Sequence, residues 1–188
     1  AANEAELGRV KAAIERYMHA FENGRLSEDM FAARIEELAK QAGITIPAAS
    51  PEQAKRDARR SSDLELLAKA RIFYQQELAK QPAALAYLKQ RGVSDVAIRT
   101  YGLGYAPPGT AGLATALGCG AGTGVLARLG LEVPETGAAQ IRDRIIFPVS
   151  DVRGRTVGFA GRGLGDAPPK YINTPETALF SKGTTLFG

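Results

Sequence analysis

The sequence has few of the residues from which disulfides and zinc sites are built. Its 188 residues include one cysteine, Cys119, and one histidine, His19. A lone cysteine cannot form an internal disulfide, and this pair cannot supply the four ligands of a structural zinc ion. These counts exclude a disulfide-stabilised scaffold and a Cys/His zinc site made by these residues alone. They are typical of a protein from a reducing compartment.

Long apolar runs are also missing. No run approaches the roughly 20 residues that span a bilayer, and the start of the chain has no secretory signal. We therefore expect no membrane partner and a cytoplasmic location. Hydrophobic residues make up 45% and charged residues 23% of the chain, an ordinary globular composition.

Groups for hydrolytic or metal-dependent catalysis are not evident. No Asp-x-Asp pair is present, and no Ser/His/Asp arrangement is evident. A two-metal reaction needs acidic ligands that this chain does not obviously supply. The glycine-rich stretch at 118–124 lacks the Lys-Ser/Thr pair of a phosphate-binding loop. We predict that these residues bind no metal and no cofactor.

The order of the local patterns predicts an α+β fold, since helices come first and strands follow. Apolar residues at three- and four-residue spacing predict an N-terminal helical hairpin within residues 1–45. Two prolines and a run of charge predict a linker over 46–62. Asp63 is expected to cap the first helix of a second helical block, which begins a domain over 63–188.

A small, mainly antiparallel or mixed β-sheet is predicted after this block. Arg144–Val149 and Arg155–Ala160 flank the turn dipeptide Arg153-Gly154 and predict a β-hairpin. Residues 170–173 and 184–187 are candidates for further short strands.

Positive charge gathers at the end of the chain, where residues 138–188 carry seven Lys or Arg against four Asp or Glu. Glycines at 158–165 would let another backbone or a nucleic-acid strand approach closely. Arg162 could then bind a phosphate, Tyr171 could stack on a base, and Asn173 could hydrogen-bond to a base or sugar. The alternative is that Tyr171 lies in the core, Asn173 lies in a turn and the cations are solvated.

Three segments resemble the bacterial DNA primase family of the DnaG type. They are AALAYLKQRGVSDVAIRTYGLGYAPPG, RDRIIFPVSDVRGRTVGFAGRGLGD and PKYINTPETALFSKGTTLFG, and they occur in the family's order and spacing. The resemblance covers residues 63–188 and corresponds to the N-terminal half of the family's RNA polymerase core.

This resemblance implies a role in making short RNA primers for DNA replication. It implies single-stranded DNA, ribonucleotides and a replicative helicase as partners. By motif, the residues expected to contact template DNA or the incoming nucleotide are Arg91, Arg142, Arg144, Arg162, Lys170, Tyr171, Asn173 and Lys182.

In the family, Mg or Mn is expected in a TOPRIM half and Zn in an N-terminal zinc-binding domain. Neither part is recognised in these 188 residues, so we expect them to be inactive alone. One alternative is a stand-alone, non-catalytic module that binds single-stranded nucleic acid. Another is a recombinase-type helical protein, because residues 4–39 are similar to the coiled-coil part of large serine recombinases.

Overall fold

The computed structural model describes residues 4–43, 50–120, 123–165, 168–181 and 183. The chain divides into two compact units, residues 1–55 and 56–188. Helices come before the last three strands of a four-stranded antiparallel sheet, and its first strand lies between two of the helices; this arrangement confirms the predicted α+β class. No helix within these described ranges is both long and apolar enough to cross a membrane. The candidate strand at 184–187 lies outside the described residues.

The first unit contains the predicted helical hairpin, formed by α1 (Glu4–Glu22) and α2 (Glu28–Gln41). The Ser27 hydroxyl caps α2 by accepting a hydrogen bond from the Met30 backbone N–H at 3.3 Å. Phe21 of α1 and Phe31 of α2 stack with their ring centroids 4.6 Å apart. This aromatic contact joins the two helices.

Residues 51–62 of the predicted linker are helical and form the first turns of α3 (Pro51–Ala79). The Ser50 hydroxyl accepts a hydrogen bond from the Gln53 backbone N–H at 3.1 Å, and proline suits the first helical position. Ala, Gln, Lys and Arg, which fill much of the segment, are good helix formers. Because all of 51–62 is exposed, the helix needs no apolar stripe there.

Where the second unit is described, it also contains four shorter helices and four strands. Ser94 caps the second of these helices through the Ala97 N–H at 3.1 Å. The helices are α4 (Pro82–Gln90), α5 (Asp95–Tyr101), α6 (Ala111–Leu117) and α7 (Val125–Arg128). The strands are β1 (Gly104–Ala106), β2 (Arg144–Ser150), β3 (Thr156–Gly163) and β4 (Tyr171–Asn173).

The sheet is antiparallel throughout, with strand order β1-β2-β3-β4. Side chains alternate between its two faces. Ile146 and Phe159 lie on one face and pack against α3, α6 and α7. Ile145 lies on the other face in a second cluster with Leu88 of α4. The helices cover both faces, although α4 covers only part of the second.

The β2–β3 turn is held by Asp151. Its Oδ1 accepts backbone hydrogen bonds from Arg153 at 3.0 Å and Arg155 at 2.9 Å. Its Oδ2 lies 2.8 Å from the Arg155 guanidinium. Burial acts to raise the pKa of Asp151, but the bonds and charge of Arg155, with the Arg153 N–H, outweigh it and leave the pKa below its usual value.

Asp63 does not cap a helix as predicted, because it lies in the middle of α3. Its carboxylate is buried and accepts hydrogen bonds from Arg128 of α7, at 2.7 Å from Nη2 and 3.1 Å from Nε. The Asp63 side chain is 8% exposed and the Arg128 side chain 32% exposed. This pair joins α3 to α7 across 65 positions of sequence.

We predict that Asp63→Ala lowers the free energy of unfolding by about 2–3 kcal/mol, because it leaves a half-buried guanidinium without its carboxylate. Urea denaturation measures this change. Lys89→Ala is the control, since Lys89 and Asp95 form an ion pair at 3.7 Å with both side chains 61% exposed. It should cost less than about 0.5 kcal/mol. Equal losses in the two variants would contradict the prediction.

We also predict that the stabilisation from Asp151 depends on pH. Because its pKa is lowered in the folded chain, its contribution is complete above about pH 4, the ordinary carboxyl pKa, and is lost as the pH falls through the folded value. Asp151→Asn should therefore be less stable than the wild type at pH 7, with a difference that shrinks in acid. Urea midpoints across this pH range test it, and a constant difference would refute it.

Candidate nucleic-acid interface

An open groove of about 590 Å³ lies on the sheet face that α4 covers only in part. Its floor is formed by apolar side chains from β2, β3 and α4. Its polar side chains come from α4, from the residue after α4, and from β3 and β4. The lining residues are Tyr87, Leu88, Arg91, Val93, Ile145, Phe147, Val149, Ala160, Arg162, Tyr171, Asn173 and Phe180.

The strand register brings the predicted side chains together. Ile145, Arg162 and Tyr171 are directly paired across β2, β3 and β4. Phe147, Ala160 and Asn173 form the next such row on the same face. Tyr171 and Asn173 therefore share a face, as the strand periodicity predicts, and Ile172 points to the other one.

Arg162 lies at the centre of these polar groups. Its Nε donates a hydrogen bond to the Tyr87 hydroxyl at 2.7 Å, and its Nη1 donates to the Tyr171 hydroxyl. Its Cζ lies 5.7 Å from the Tyr87 ring centroid and 4.9 Å from that of Tyr171, which is the range of cation–π contact. The guanidinium is thus held between two aromatic side chains while it remains half-exposed.

Arg91 adds a second cation to the groove. It is the C-cap of α4, and its Cζ lies 5.8 Å from the Tyr87 ring centroid. Tyr87 and Arg91 are four positions apart, which places them on one side of the end of α4. Two guanidiniums beside an apolar surface can bind a phosphate, and planar groups of the same ligand can pack against that surface.

Of the other predicted residues, the three that the structure describes are not brought together with this set. Arg144 lies on the opposite face, where its guanidinium donates to the carbonyl oxygens of Arg142 at 2.9 Å and Pro169 at 3.0 Å. Arg142 is exposed and precedes β2, and Lys170 is exposed and precedes β4. Lys182 lies outside the described residues. The alternating side-chain direction in β2 separates Arg144 from the groove.

The interpretation of the glycines is also corrected. A Cβ on Gly158 would lie 2.8 Å from Thr174 Oγ1, and one on Gly161 would collide with Ile141. Thr174 and Ile141 are buried. These two glycines therefore make room for the protein's own side chains and not for a nucleic-acid strand.

The RDR segment contains a strained residue. Asp143 has a φ of 51°, which is uncommon for a residue with a side chain. Its Oδ1 accepts a 3.4 Å hydrogen bond from the Tyr105 hydroxyl. Burial raises the pKa of Tyr105, and the charge of Asp143 adds to the effect. Asp143 thus ties the start of β2 to β1.

Sequence reasoning missed Tyr87. The signal available in the sequence was its spacing of four from Arg91 in a helix, but its bond to Arg162 crosses 75 positions.

Among the residues that the structure describes, no three His, Cys, Asp or Glu side chains cluster as metal ligands would.

Comparison with known proteins gives a consistent result. The sequence model of the family described as DNA primase catalytic core, N-terminal domain, matches residues 73–188. A DNA primase of Pseudomonas putida is 42% identical over 171 residues, which cover 84% of this chain and 26% of that protein. The likeness therefore continues before residue 73. The chain spans about a quarter of the length of this curated relative.

Solved structures agree. The structure of a DnaG primase catalytic domain bound to ssDNA matches with a TM-score of 0.63 and 38% identity, over 70% of this chain and 43% of that one. The RNA polymerase domain of Mycobacterium tuberculosis primase, in complex with a double-stranded DNA oligomer with a 6-nucleotide overhang, matches with a TM-score of 0.60 and 32% identity. It covers 66% of this chain and 41% of that one.

The corrected role of the glycines predicts that Gly161→Ala lowers the free energy of unfolding by about 1–3 kcal/mol, because the new methyl group meets buried Ile141. Gly163→Ala is the matched control in the same strand, since the nearest atom to its Cβ would be 3.9 Å away. Its stability should be unchanged or slightly increased. Urea denaturation distinguishes them, and two equally stable variants would contradict the assignment.

Proposed function

Since this chain belongs to the DNA primase family, by its match to the N-terminal domain of the catalytic core, we propose that its groove holds single-stranded DNA template or the incoming ribonucleotide during primer synthesis. The contribution of this chain is positioning. Its cations orient and neutralise phosphates, and its aromatic and apolar groups support bases.

One observation carries the proposal: Arg162 and Arg91 lie beside two tyrosines above an apolar floor. A polynucleotide offers the complementary pair of groups, since its phosphates are anionic and its bases have flat π-faces. Arginine suits this use because its planar fork donates two hydrogen bonds to a phosphate. Asn173, exposed in the row beside Arg162, supplies donors and acceptors for a base or sugar.

The comparisons support nucleic acid as the ligand. One solved relative is a primase catalytic domain bound to ssDNA, and another is in complex with double-stranded DNA that carries an overhang. Ribonucleotides and a replicative helicase are proposed as further partners of the whole protein, and the cytoplasm as its location. Lys170 and Lys182 are also proposed to contact phosphates.

The metal ions of the reaction do not fit the residues described. Nucleotidyl transfer in the family is expected to use Mg or Mn held in a TOPRIM half, and Zn in a separate N-terminal domain. Within the described ranges no group of three acidic, His or Cys side chains could hold such an ion. We therefore derive no metal-dependent step from these residues and assign them template and nucleotide positioning.

We predict that Arg162→Ala and Lys170→Ala each weaken binding to a fluorescently labelled oligodeoxythymidylate several-fold. Each should also flatten the dependence of log K on log salt by about 0.7, the expected loss for one phosphate contact with a single strand. Fluorescence anisotropy over a series of salt concentrations measures both quantities.

Arg99→Ala is the matched control, because Arg99 is exposed on α5 and does not line the groove. Its removal should change the affinity and the salt dependence much less than the removal of Arg162. Unchanged affinity in Arg162→Ala would contradict the proposed role of the groove, and unchanged affinity in both Arg162→Ala and Lys170→Ala would remove the proposed function.

A further inference from the structure

Tyr87 is the aromatic side chain of the groove that the strand motifs do not supply. It is half-buried on α4, and its ring packs against the cluster that contains Leu88 and Ile145. Burial of the ring fixes the position of its hydroxyl group. The hydroxyl therefore presents a stationary acceptor to the groove.

The Tyr87 hydroxyl oxygen accepts a hydrogen bond from Nε of Arg162, on the side of the guanidinium that faces α4. The hydrogen bond from Arg162 Nε to Tyr87 Oη is 2.7 Å long, within the range of charge-assisted bonds. It uses the single Nε–H and leaves Nη1 and Nη2 at the outer end. Nη1 donates to Tyr171, a residue that is 61% exposed. An incoming phosphate thus meets the outer end of a guanidinium that is already oriented.

The Tyr87 ring also contacts both groove arginines. Its centroid lies 5.8 Å from Cζ of Arg91 and 5.7 Å from Cζ of Arg162. Two like charges near one ring repel each other, and the negative face of the π-system lowers that cost. An arginine side chain also loses rotamer freedom when it binds a phosphate. A hydrogen bond that already orients the side chain in the free protein reduces this entropy loss on binding.

We infer that Tyr87 is a positioning residue, which orients Arg162 through its hydroxyl group so that the outer end of the guanidinium is presented to a nucleic-acid phosphate. This inference rests on the proposed function of the groove. Tyr87 acts through Arg162, so its effect on binding should exist only when Arg162 is present.

A double-mutant cycle tests this coupling. Tyr87→Phe, Arg162→Ala and the double variant are compared with the wild type by anisotropy with labelled oligodeoxythymidylate. Tyr87→Phe keeps the ring and should weaken binding roughly fivefold, because one charge-assisted hydrogen bond is lost. The salt dependence should stay unchanged, since no charge is removed. In the Arg162→Ala background, Tyr87→Phe should have almost no further effect.

Tyr101→Phe is the matched control, because Tyr101 is 67% exposed and does not line the groove. It should bind as the wild type does. Thermal unfolding of each variant checks that Tyr87→Phe remains folded, since a general loss of stability would not vanish in the Arg162→Ala background.

Two results would overturn the inference alone: wild-type affinity in Tyr87→Phe, or the same fold-loss in both backgrounds while Arg162→Ala itself binds weakly. If Arg162→Ala binds as the wild type does, the proposed function of the groove fails as well. The cycle therefore separates failure of the positioning role from failure of the groove.

Discussion

The pairing of β3 with its two neighbours is the constraint on which the groove depends. It places Ile145, Arg162 and Tyr171 in one row across the sheet. Ile145 is fully buried beneath α4, while Tyr171 is exposed at the edge strand. A shift of one residue in this register would turn Arg162 toward the opposite, apolar cluster. The same hydrogen bonds that hold the sheet together thus decide where the cation is presented.

Burial of the neighbours makes the groove a rigid platform. Phe159 and Ile146 fill the opposite face, and the β2–β3 turn is fixed by Asp151. An arginine on such a platform loses less freedom on binding than one on a mobile loop. Arg144 is also an arginine, but its guanidinium donates hydrogen bonds to backbone carbonyl oxygens on the other face of the sheet. Positive charge alone therefore does not identify a binding residue.

Local patterns predicted the elements that depend on local physics. The hairpin of β2 and β3 and the shared face of Tyr171 and Asn173 follow from turn chemistry and period-two alternation. Residues 51–62 form a helix although they lack apolar residues, because a cap and good helix formers suffice there.

The remaining features depend on contacts between distant positions. Asp63 carries a typical capping side chain, but its partner Arg128 lies 65 positions away. Tyr87 likewise meets Arg162 only in the folded chain. The most direct test of the groove is a crystal structure of the chain with a short oligodeoxythymidylate. We expect a phosphate within hydrogen-bond distance of Arg162 Nη1 or Nη2 and a base beside Tyr171. DNA on the opposite face of the sheet, with the groove unoccupied, would contradict it.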